Sequence, residues 1–374
     1  MSRRLCKVLV VIGTRPEAIK LAPVVWRLRK DRAFEVLLCL TAQHRELADK
    51  TLMTFGLQAD IDLNLMREGQ SPREVLRRLR RAMSGVLEAE KPDLVLVQGD
   101  TTTALGAALC AARRGVPVAH VEAGLRSFDR RNPRPEEGNR LRVDAVSKLL
   151  FAPTQGARAN LLREGAEASR VFVTGNTVVD SLLWALKQPH RFEEPALRGL
   201  PRRALAVVTL HRRESFGSRL EAVLRGIRDA AELMPDFFWV CPVHPNPRVR
   251  GPVRRILSHP RIRLTGPLGY LDFVRLMRRA SFILTDSGGI QEEAPSLGKP
   301  VLVVRDKTER PELLGRGGLL VGTSREKVVR AIRGFVAGRF PRLPKRNPFG
   351  DGLASERIAR ILRAWAGASP APVS

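Results

Sequence analysis

Three acidic residues in the N-terminal half, Asp100, Glu122 and Glu136, are candidates for acid–base chemistry. Asp100 comes shortly after the apolar run Leu94–Val97, and Glu122 follows the run Pro117–Val121. A single carboxylate at the end of a strand is usually a cap or a solvated loop residue, because aspartate favours local hydrogen bonds there. Several carboxylates that converge on one site could instead remove and return protons.

The segment Thr285–Glu293, with the sequence TDSGGIQEE, is a candidate anion site. It follows the apolar, β-branched run Ser281–Thr285 and precedes a helix-compatible stretch, so a glycine turn joins a predicted strand to a predicted helix. Free backbone N–H groups at such a helix start bind phosphate, and glycine lets the ligand approach the main chain. The alternative is an ordinary strand-to-helix turn, which glycine also marks.

The composition indicates a two-domain globular enzyme. The chain has 374 residues, whereas single cores stop growing at roughly 250 to 300. Its net charge is +27, and only 11 of its 65 basic residues are lysine. Aromatic residues make up 5% of the chain and offer few stacking platforms for bases, so we interpret the arginines as scattered solvated charges. A nucleic-acid-binding protein remains the alternative from a different class.

The cysteines and the hydropathy indicate a cytoplasmic protein. The four cysteines are far apart, with no pair at zinc or redox spacing, so we expect small core residues in a reducing compartment and no metal site. No apolar stretch has the length needed to span a bilayer. The N-terminal apolar run is followed by Gly-Thr-Arg-Pro instead of a small-residue cleavage site, which predicts no export.

Strand-like runs alternate with segments of helical spacing along the chain. The runs are Leu5–Ile12, Val36–Leu40, Leu94–Val97, Pro117–Val121, Val171–Val173, Ala204–Leu210, Phe237–Cys241, Arg261–Leu264, Phe282–Thr285 and Val301–Val304. This alternation predicts an α/β fold with two doubly wound, Rossmann-like domains that face a cleft. In such folds the ligand lies beyond the carboxyl ends of the strands, where the candidate residues lie.

Several segments together carry a resemblance to a known family. They are Gly13–Lys20 (GTRPEAIK), Thr41–Glu46 (TAQHRE), Gly99–Thr103 (GDTTT), His120–Arg126 (HVEAGLR), Pro135–Glu137 (PEE), Asn139–Arg140 (NR), His211–Glu214 (HRRE) and Thr285–Glu293. In this order they resemble the non-hydrolysing UDP-N-acetylglucosamine 2-epimerases. The resemblance extends from about residue 5 to Gly352.

The resemblance implies a fold of the glycosyltransferase-B type, usually in a homodimer. The N-terminal Rossmann-like domain, 1–175, would carry the sugar and acid–base side, and the C-terminal domain, 176–352, would bind UDP. A helix at 353–366 would cross back to the first domain, and its apolar positions share one helical face: Ile358, Ile361, Leu362 and Trp365. Residues 367–374 would form a tail.

The activity implied is reversible C2 epimerisation of UDP-N-acetylglucosamine to UDP-N-acetylmannosamine. In this family UDP leaves by anti elimination, a 2-acetamidoglucal forms, and UDP adds back without any cofactor or metal. The implied role is in polysaccharide supply for the cell envelope. The alternatives are a 2-epimerase of a related UDP sugar such as a 2,3-diacetamido uronic acid, or a hydrolysing epimerase. A glycosyltransferase is disfavoured, because it needs no proton shuttle at C2.

The resemblance also assigns site residues. Asp100, Glu122 and Glu136 would share proton removal, proton return and orientation of the sugar, with no division of roles among them. His211 would offset charge on the leaving UDP. The substrate-binding residues would be Arg15, Lys20, Phe273, Ser287, Gly288, Gly289, Glu293 and Arg310. Tyr270 fits either the wall of the uracil pocket or plain core packing, and Glu292 fits a structural role.

Some family members need UDP-N-acetylglucosamine as an activator beside the active site. The corresponding positions are Gln43, Arg212 and His244, which this chain keeps. It departs from the family pattern nearby, at Glu46 and Gly69. The departure argues against a strong requirement for the activator, and we expect a hyperbolic rate curve.

Overall fold

The apolar runs of the sequence form two parallel β-sheets, each in its own compact unit. The structure is a computed structural model that describes residues 4–41, 45–65, 72–129, 135–212 and 215–368. Unit 1 comprises Met1–Ser181 and Phe349–Ser374, and unit 2 comprises Leu182–Pro348. The predicted fold class, two doubly wound α/β domains, is confirmed.

In the described part of unit 1 the strands form a seven-stranded sheet of order β3-β2-β1-β4-β5-β6-β7. The strands are β1 (Cys6–Ile12), β2 (Phe34–Leu40), β3 (Ile61–Asp62), β4 (Leu94–Gln98), β5 (Val118–Val121), β6 (Leu149–Ala152) and β7 (Val171–Val173). The helices are α1 (Arg15–Lys30), α2 (Arg45–Thr54), α3 (Pro72–Glu90), α4 (Thr102–Arg113), α5 (Glu136–Val146), α6 (Gln155–Arg163) and α7 (Thr177–Lys187). The strand order reverses between β1 and β4, and ligands bind at such switch points.

Unit 2 has a six-stranded sheet of order β10-β9-β8-β11-β12-β13 in its described residues. Its strands are β8 (Ala204–Thr209), β9 (Phe237–Pro242), β10 (Ile262–Thr265), β11 (Phe282–Thr285), β12 (Val301–Val303) and β13 (Gly318–Leu320). Its helices are α8 (Ser218–Leu233), α9 (Pro247–Ile256), α10 (Tyr270–Arg279), α11 (Gly288–Glu293) and α12 (Arg325–Val336). The switch point of this sheet lies between β8 and β11.

The strands are continuous apolar runs in the sequence because each sheet lies in the core of its unit. Leu9 and Val11 of β1 are fully buried and pack in one cluster with Leu79 and Met83 of α3. In unit 2 the rings of Trp239 and Phe282 pack edge to face with centroids 5.7 Å apart. Helices cover both faces of a parallel sheet, so its strands bury residues on both sides. The polar groups at the strand ends are therefore held by rigid elements.

The last helix, α13 (Ala354–Ala368), belongs to unit 1. Asp180 caps it by accepting hydrogen bonds from the Ser355 backbone N–H at 2.8 Å and from the Ser355 hydroxyl at 2.6 Å. The helix runs two residues past the predicted end at 366, so the predicted tail begins inside it. Residues 369–374 lie outside the described residues.

The division into compact units falls after Ser181, within α7. The domain boundary at 175/176 stays a prediction. The cysteines behave as predicted for core residues: Cys39, Cys110 and Cys241 are buried, and Cys6 is partly buried. Within the described ranges, no helix combines the length and apolarity that a membrane crossing requires.

Candidate active site

Asp100 and Glu122 follow neighbouring strands at the carboxyl edge of the unit 1 sheet. The last residues of these strands, Gln98 of β4 and Val121 of β5, are register partners, and the Gly99 N–H donates to the Val121 carbonyl at 3.0 Å. Gly99 has φ +71°, a left-handed value that suits glycine, and the chain turns there toward Asp100. The structure therefore brings two of the three predicted carboxylates to one sheet edge.

Glu122 is held in a strained backbone conformation. Its φ is 69°, in the left-handed region that residues other than glycine rarely adopt. The side chain is buried, contacts the Lys20 ammonium group, and accepts a hydrogen bond from Asn176 Nδ2 at 3.0 Å. Strained backbone conformations are frequent at functional sites, where the surrounding structure holds the residue in the orientation that its function requires. Asn176 was not assigned a role from the sequence.

The contact with Glu122 gives Lys20 a partner that the sequence did not predict. The resemblance assigns Lys20 to the diphosphate of the substrate, whereas the structure places its ammonium group against a buried carboxylate of the same unit. Because both groups are buried, removing either would leave an uncompensated charge, which costs about 3 to 5 kcal/mol. The assignment to the diphosphate stays a prediction.

Helix α5 holds Asp100 through both its side chain and its main chain. Arg140 Nη2 lies 2.5 Å from Asp100 Oδ2, and Asn139 Nδ2 donates to the Asp100 carbonyl at 2.8 Å. Arg140 is itself fixed by Glu137, whose Oε2 lies 3.0 Å from Nη1. Glu136 is the first residue of the same helix and is half-buried. Glu136 and Arg140 share one helical face because they are four residues apart.

Glu17 ties the loop after β1 to the loop after β4. Its Oε2 accepts hydrogen bonds from the Gly13 N–H at 3.0 Å and from the Thr14 N–H and hydroxyl at 2.7 Å. Its Oε1 accepts from the Thr101 hydroxyl at 2.6 Å. Burial raises the pKa of Glu17 to about 7, although the four hydrogen bonds oppose that rise. Glu17 therefore connects the start of α1, where Arg15 lies, to the residue after Asp100.

Gly13 allows these loops to approach each other closely. A Cβ at this position would lie 2.1 Å from Thr103 Oγ1 and 2.7 Å from Thr41 Oγ1. The two threonine oxygens are 3.1 Å apart, so they join the end of β2 to the start of α4 beside the glycine. Any larger residue at 13 would push apart the strand ends that carry Arg15 and Asp100.

A chain of buried charges lies beneath the carboxylate edge. The His120 Nε2–H donates to the Gly99 carbonyl at 2.8 Å, and Nδ1 lies 2.6 Å from Asp144 Oδ1. Burial alone would raise the pKa of Asp144, but His120 and Arg126 lower it below its ordinary value. Asp144 is therefore ionised, and the two ring nitrogens of His120 face a carboxylate and a backbone carbonyl. Through the Gly99 carbonyl, this charged cluster supports the turn that leads to Asp100.

In unit 2, His211 and Asp286 meet at the switch point between β8 and β11. The register pairs Thr209 with Thr285, and their hydroxyl oxygens are 2.6 Å apart. Asp286 is buried, and its Oδ1 lies 3.1 Å from Nδ1 of His211, whose side chain is 39% exposed. Burial raises the pKa of Asp286, but His211 and backbone N–H donors outweigh it, so the pKa lies below its ordinary value.

The predicted activator residues are brought together in part. The His244 ring stacks on the His211 ring, with centroids 6.0 Å apart and planes 19° from parallel. The Arg212 N–H donates to Asp286 Oδ2 at 2.9 Å, which places Arg212 at the same strand end. Gln43, the third predicted activator residue, lies outside the described residues.

The predicted anion cradle at Ser287, Gly288 and Gly289 is built around Arg310. A Cβ on Gly288 would lie 2.7 Å from the Arg310 guanidinium, so only glycine permits this contact. Helix α11 has only six residues, and its dipole is a weaker source of positive charge than the sequence suggested. The Arg310 guanidinium is the cation that lies against this glycine turn. Glu292 Oε1 holds it at 2.7 Å and Glu309 Oε2 at 3.2 Å, which fits the structural role predicted for Glu292.

The predicted ribose ligand Glu293 is fixed by Tyr270. The Tyr270 hydroxyl donates to Glu293 Oε1 at 2.9 Å, and both side chains are buried. The sequence left Tyr270 between a pocket wall and core packing. Phe273, the predicted uracil contact, is half-buried on the same helix, α10. Among the described residues, no cluster of His, Cys, Asp and Glu side chains has the arrangement of a metal site.

Comparison with known proteins identifies relatives over nearly the whole chain. Residues 26–363 match the family model described as UDP-N-acetylglucosamine 2-epimerase. The UDP-N-acetylglucosamine 2-epimerase of Escherichia coli (strain K12) is 47% identical over 371 residues, which cover 96% of this chain and 98% of the relative.

Solved structures extend the similarity to the fold. The UDP-GlcNAc 2-epimerase from Neisseria meningitidis bound to UDP-GlcNAc has a TM-score of 0.91 at 42% identity, covering 95% of this chain and 99% of the other. The S. aureus MnaA–UDP co-structure has a TM-score of 0.92 at 39% identity, covering 99% of this chain and 100% of the other. The architecture is of the glycosyltransferase-B type.

Proposed function

The chain belongs to the UDP-N-acetylglucosamine 2-epimerase family, a family of isomerases, and from this premise we propose that it interconverts UDP-N-acetylglucosamine and UDP-N-acetylmannosamine. The observation that carries the proposal is the pair of carboxylates, Asp100 and Glu122, at neighbouring strand ends beside a switch point. Inversion at C2 requires a proton to leave one face of the sugar and another to arrive on the opposite face. Two carboxylates meet that requirement.

The first half of the proposed reaction is an anti elimination. A carboxylate of unit 1 takes the proton from C2, the C2–H electron pair forms a C1=C2 double bond, and the C1–O bond breaks. The electron pair of the C1–O bond goes to the β-phosphate oxygen, so UDP leaves and 2-acetamidoglucal remains. No oxidation or reduction occurs.

In the second half UDP adds back to the face of C1 that it left, and the proton arrives on the other face of C2. The β-phosphate oxygen of UDP attacks C1, and C2 takes a proton from an acid on the face opposite to the first base. Asp100, Glu122 and Glu136 share these roles in our proposal. Arg140 and Lys20 hold the first two carboxylates in place, and fixed geometry is worth several kcal/mol in such a step.

Unit 2 supplies most of the groups that bind and release UDP. We assign the phosphates to Ser287, Gly288 and Gly289, with Arg310 against the glycine turn. Positive charge next to a leaving diphosphate stabilises the transition state for its departure. His211 adds a donor at the neighbouring strand end. The other assigned binding residues are Arg15 and Lys20 of unit 1, and Glu293 and Phe273 of unit 2.

The same family membership supports three further parts of the proposal. We expect a homodimer, a cytoplasmic location and a role in supplying amino sugars for envelope polysaccharide. Arg212, His244 and Gln43 are the positions at which a second UDP-N-acetylglucosamine would act as activator. Light scattering tests the dimer, and a rate curve measured against substrate concentration tests the activator.

The experiment that tests the reaction follows purified protein with UDP-N-acetylglucosamine by proton and phosphorus NMR. We expect UDP-N-acetylmannosamine to appear with its diphosphate linkage intact, and the same final ratio to be reached from either isomer. Asp100→Asn should abolish the conversion. Asp236→Asn, which changes an exposed aspartate of unit 2, should not affect it.

Other outcomes would replace the proposal with a specific alternative. Free N-acetylmannosamine together with UDP would indicate a hydrolysing epimerase. No conversion by protein that still binds UDP would indicate a related UDP sugar, such as a 2,3-diacetamido uronic acid, as the substrate. Transfer of the sugar to an acceptor would indicate a glycosyltransferase.

A further inference from the structure

Asp286 contacts both the backbone and the ring of His211. Its Oδ2 accepts hydrogen bonds from the backbone N–H groups of His211 and Arg212, each at 2.9 Å. Its Oδ1 lies 3.1 Å from His211 Nδ1 and 3.2 Å from the His211 backbone N–H. The carboxylate is 1% exposed, so water does not compete for these contacts.

The carboxylate of Asp286 decides which ring nitrogen of His211 carries the hydrogen. An ionised carboxylate only accepts hydrogen bonds, so the nitrogen that faces Asp286 must be the donor. Nδ1 therefore carries the hydrogen of the neutral ring, and Nε2, on the opposite side, has the lone pair. A proton that charges the ring must then bind at Nε2.

We infer that Asp286 is a positioning residue, which fixes His211 in the Nδ1–H tautomer and so places the ionising proton on Nε2. The inference deepens the proposed function, because it rests on His211 acting at the departing diphosphate. An Nε2–H of the charged ring can donate to a phosphate oxygen while the ionised Asp286 stabilises the positive charge. His244, stacked on the same ring, limits its rotation.

The other histidines of unit 2 supply an internal reference. His190 Nε2 lies 2.7 Å from Asp272 Oδ1, so that ring carries its hydrogen on Nε2. His244 Nδ1 accepts from the Asn246 N–H at 3.2 Å, and His259 Nδ1 accepts from the Arg261 N–H at the same distance. Both rings therefore also carry Nε2–H. Among the described histidines of unit 2, His211 alone is expected to show Nδ1–H.

Long-range ¹H–¹⁵N correlation spectra of the full-length protein test the tautomer directly. They are recorded without substrate at about pH 9, well above the ordinary histidine pKa of about 6.5. The ¹⁵N shifts distinguish protonated from unprotonated ring nitrogens, and His211→Asn assigns the His211 signals. We expect the Nδ1–H pattern for His211 and the Nε2–H pattern for His190, His244 and His259.

Asp286→Asn should invert the tautomer. The backbone N–H groups of His211 and Arg212 need an acceptor, so the amide oxygen should take the place of Oδ2 and the NH₂ group the place of Oδ1. That NH₂ group would donate to Nδ1, which forces the hydrogen onto Nε2 and opposes charging of the ring. We expect kcat to fall at least about tenfold, since an aspartate that fixes a histidine tautomer has large effects in other enzymes.

Asp236→Asn is the matched control, because it removes an exposed carboxylate of the same unit. It should change neither the His211 signals nor kcat. An Nε2–H pattern for His211 in the wild-type protein would overturn the inference, as would an inverted tautomer in Asp286→Asn with kcat unchanged. If both tautomers are as predicted but the wild-type protein leaves UDP-N-acetylglucosamine unconverted, the proposed function fails and the tautomer assignment stands.

Discussion

The two units place opposite charges at the switch points of their sheets. In unit 1 the candidate groups are carboxylates, and each is held by a cation: Asp100 by Arg140 and Glu122 by Lys20. In unit 2 the candidate groups are basic side chains held by carboxylates, as His211 is by Asp286 and Arg310 by Glu292 and Glu309. The two units therefore have the same fold, but acidic and basic side chains exchange roles between them.

This difference matches the tasks that the proposal assigns. Proton transfer at carbon needs oriented carboxylates, whereas departure of a diphosphate needs oriented cations. In both units a buried, ionisable partner contacts the candidate group and limits its movement. Substitutions in unit 1 should therefore affect mainly the chemical step, and substitutions in unit 2 should affect UDP binding and release.

The largest effect is expected from Glu122→Gln. The amide keeps the shape of the side chain but cannot take a proton from C2, so kcat should fall by about 10²- to 10⁴-fold. UDP affinity, measured by calorimetry, should change less than about threefold. A loss of UDP affinity as large as the loss of kcat would contradict the claim that unit 1 substitutions affect mainly the chemical step.

A pH-dependent loss of stability should follow from Glu17, a buried unit 1 carboxylate that accepts four hydrogen bonds from neutral backbone and hydroxyl donors. Its pKa in the folded state is about 7, above its ordinary value of 4.5, so the folded state binds the proton more tightly. Stability from this group is present below about pH 4.5 and is lost as the pH rises toward 7.

Glu17→Gln should remove this loss, since the amide oxygen can accept the hydrogen bonds of Oε2 and the NH₂ group can donate to the Thr101 hydroxyl without titrating. Urea unfolding at about pH 5 and about pH 8 measures the free energy of unfolding of both proteins. The decline between the two pH values should be about 2 to 3 kcal/mol larger in the wild-type protein than in the variant. Equal declines would show that Glu17 stays ionised throughout.

A smaller effect on turnover is expected from Arg140→Lys. Arg140 bridges Glu137 and Asp100 with its two terminal nitrogens, and an ammonium group cannot reproduce that fork. Asp100 should lose its fixed orientation, so kcat should fall about 10- to 100-fold with KM nearly unchanged. Arg142→Lys, on the exposed side of the same helix, is the control and should leave kcat as it is.

The smallest effect is expected from Tyr270→Phe in unit 2. It removes the hydrogen bond that the Tyr270 hydroxyl donates to Glu293, which is worth about 0.5 to 1.5 kcal/mol. The dissociation constant of UDP should rise about 2- to 12-fold, and kcat at saturating substrate should stay within about twofold. A fall in kcat with UDP binding intact would show that Tyr270 acts in the chemical step. It would contradict the claim that unit 2 substitutions affect UDP binding and release.

The sequence predicted most strands of the fold because they are apolar, β-branched runs bounded by turns. It did not identify β6, whose sequence Leu-Leu-Phe-Ala has no β-branched residue, or the two-residue strand β3. It also missed β13, which begins with glycine. Such short strands are fixed by pairing with their neighbours in the sheet, and no local pattern marks them.

The sequence predicted the site residues that directly follow strands. It did not predict contacts between residues that are far apart in the sequence. Asp100 and Glu122 follow apolar runs and match the family's motifs. Asn176, by contrast, reaches Glu122 across 54 positions of the chain. Asp286 stands inside a recognised motif, but its role depends on the ring of His211 at the neighbouring strand end. Only the register between β8 and β11 brings the two together.

The most direct test of the division between the units is deuterium incorporation at C2 from heavy water, measured by NMR for wild-type and Glu122→Gln proteins with equal UDP affinity. We predict deuterium at C2 of the UDP-N-acetylmannosamine formed by the wild-type protein, because the second face is protonated by a group that exchanges with solvent. Glu122→Gln should show almost none. Isomer formed without deuterium, or undiminished exchange in the variant, would contradict proton transfer by the unit 1 carboxylates.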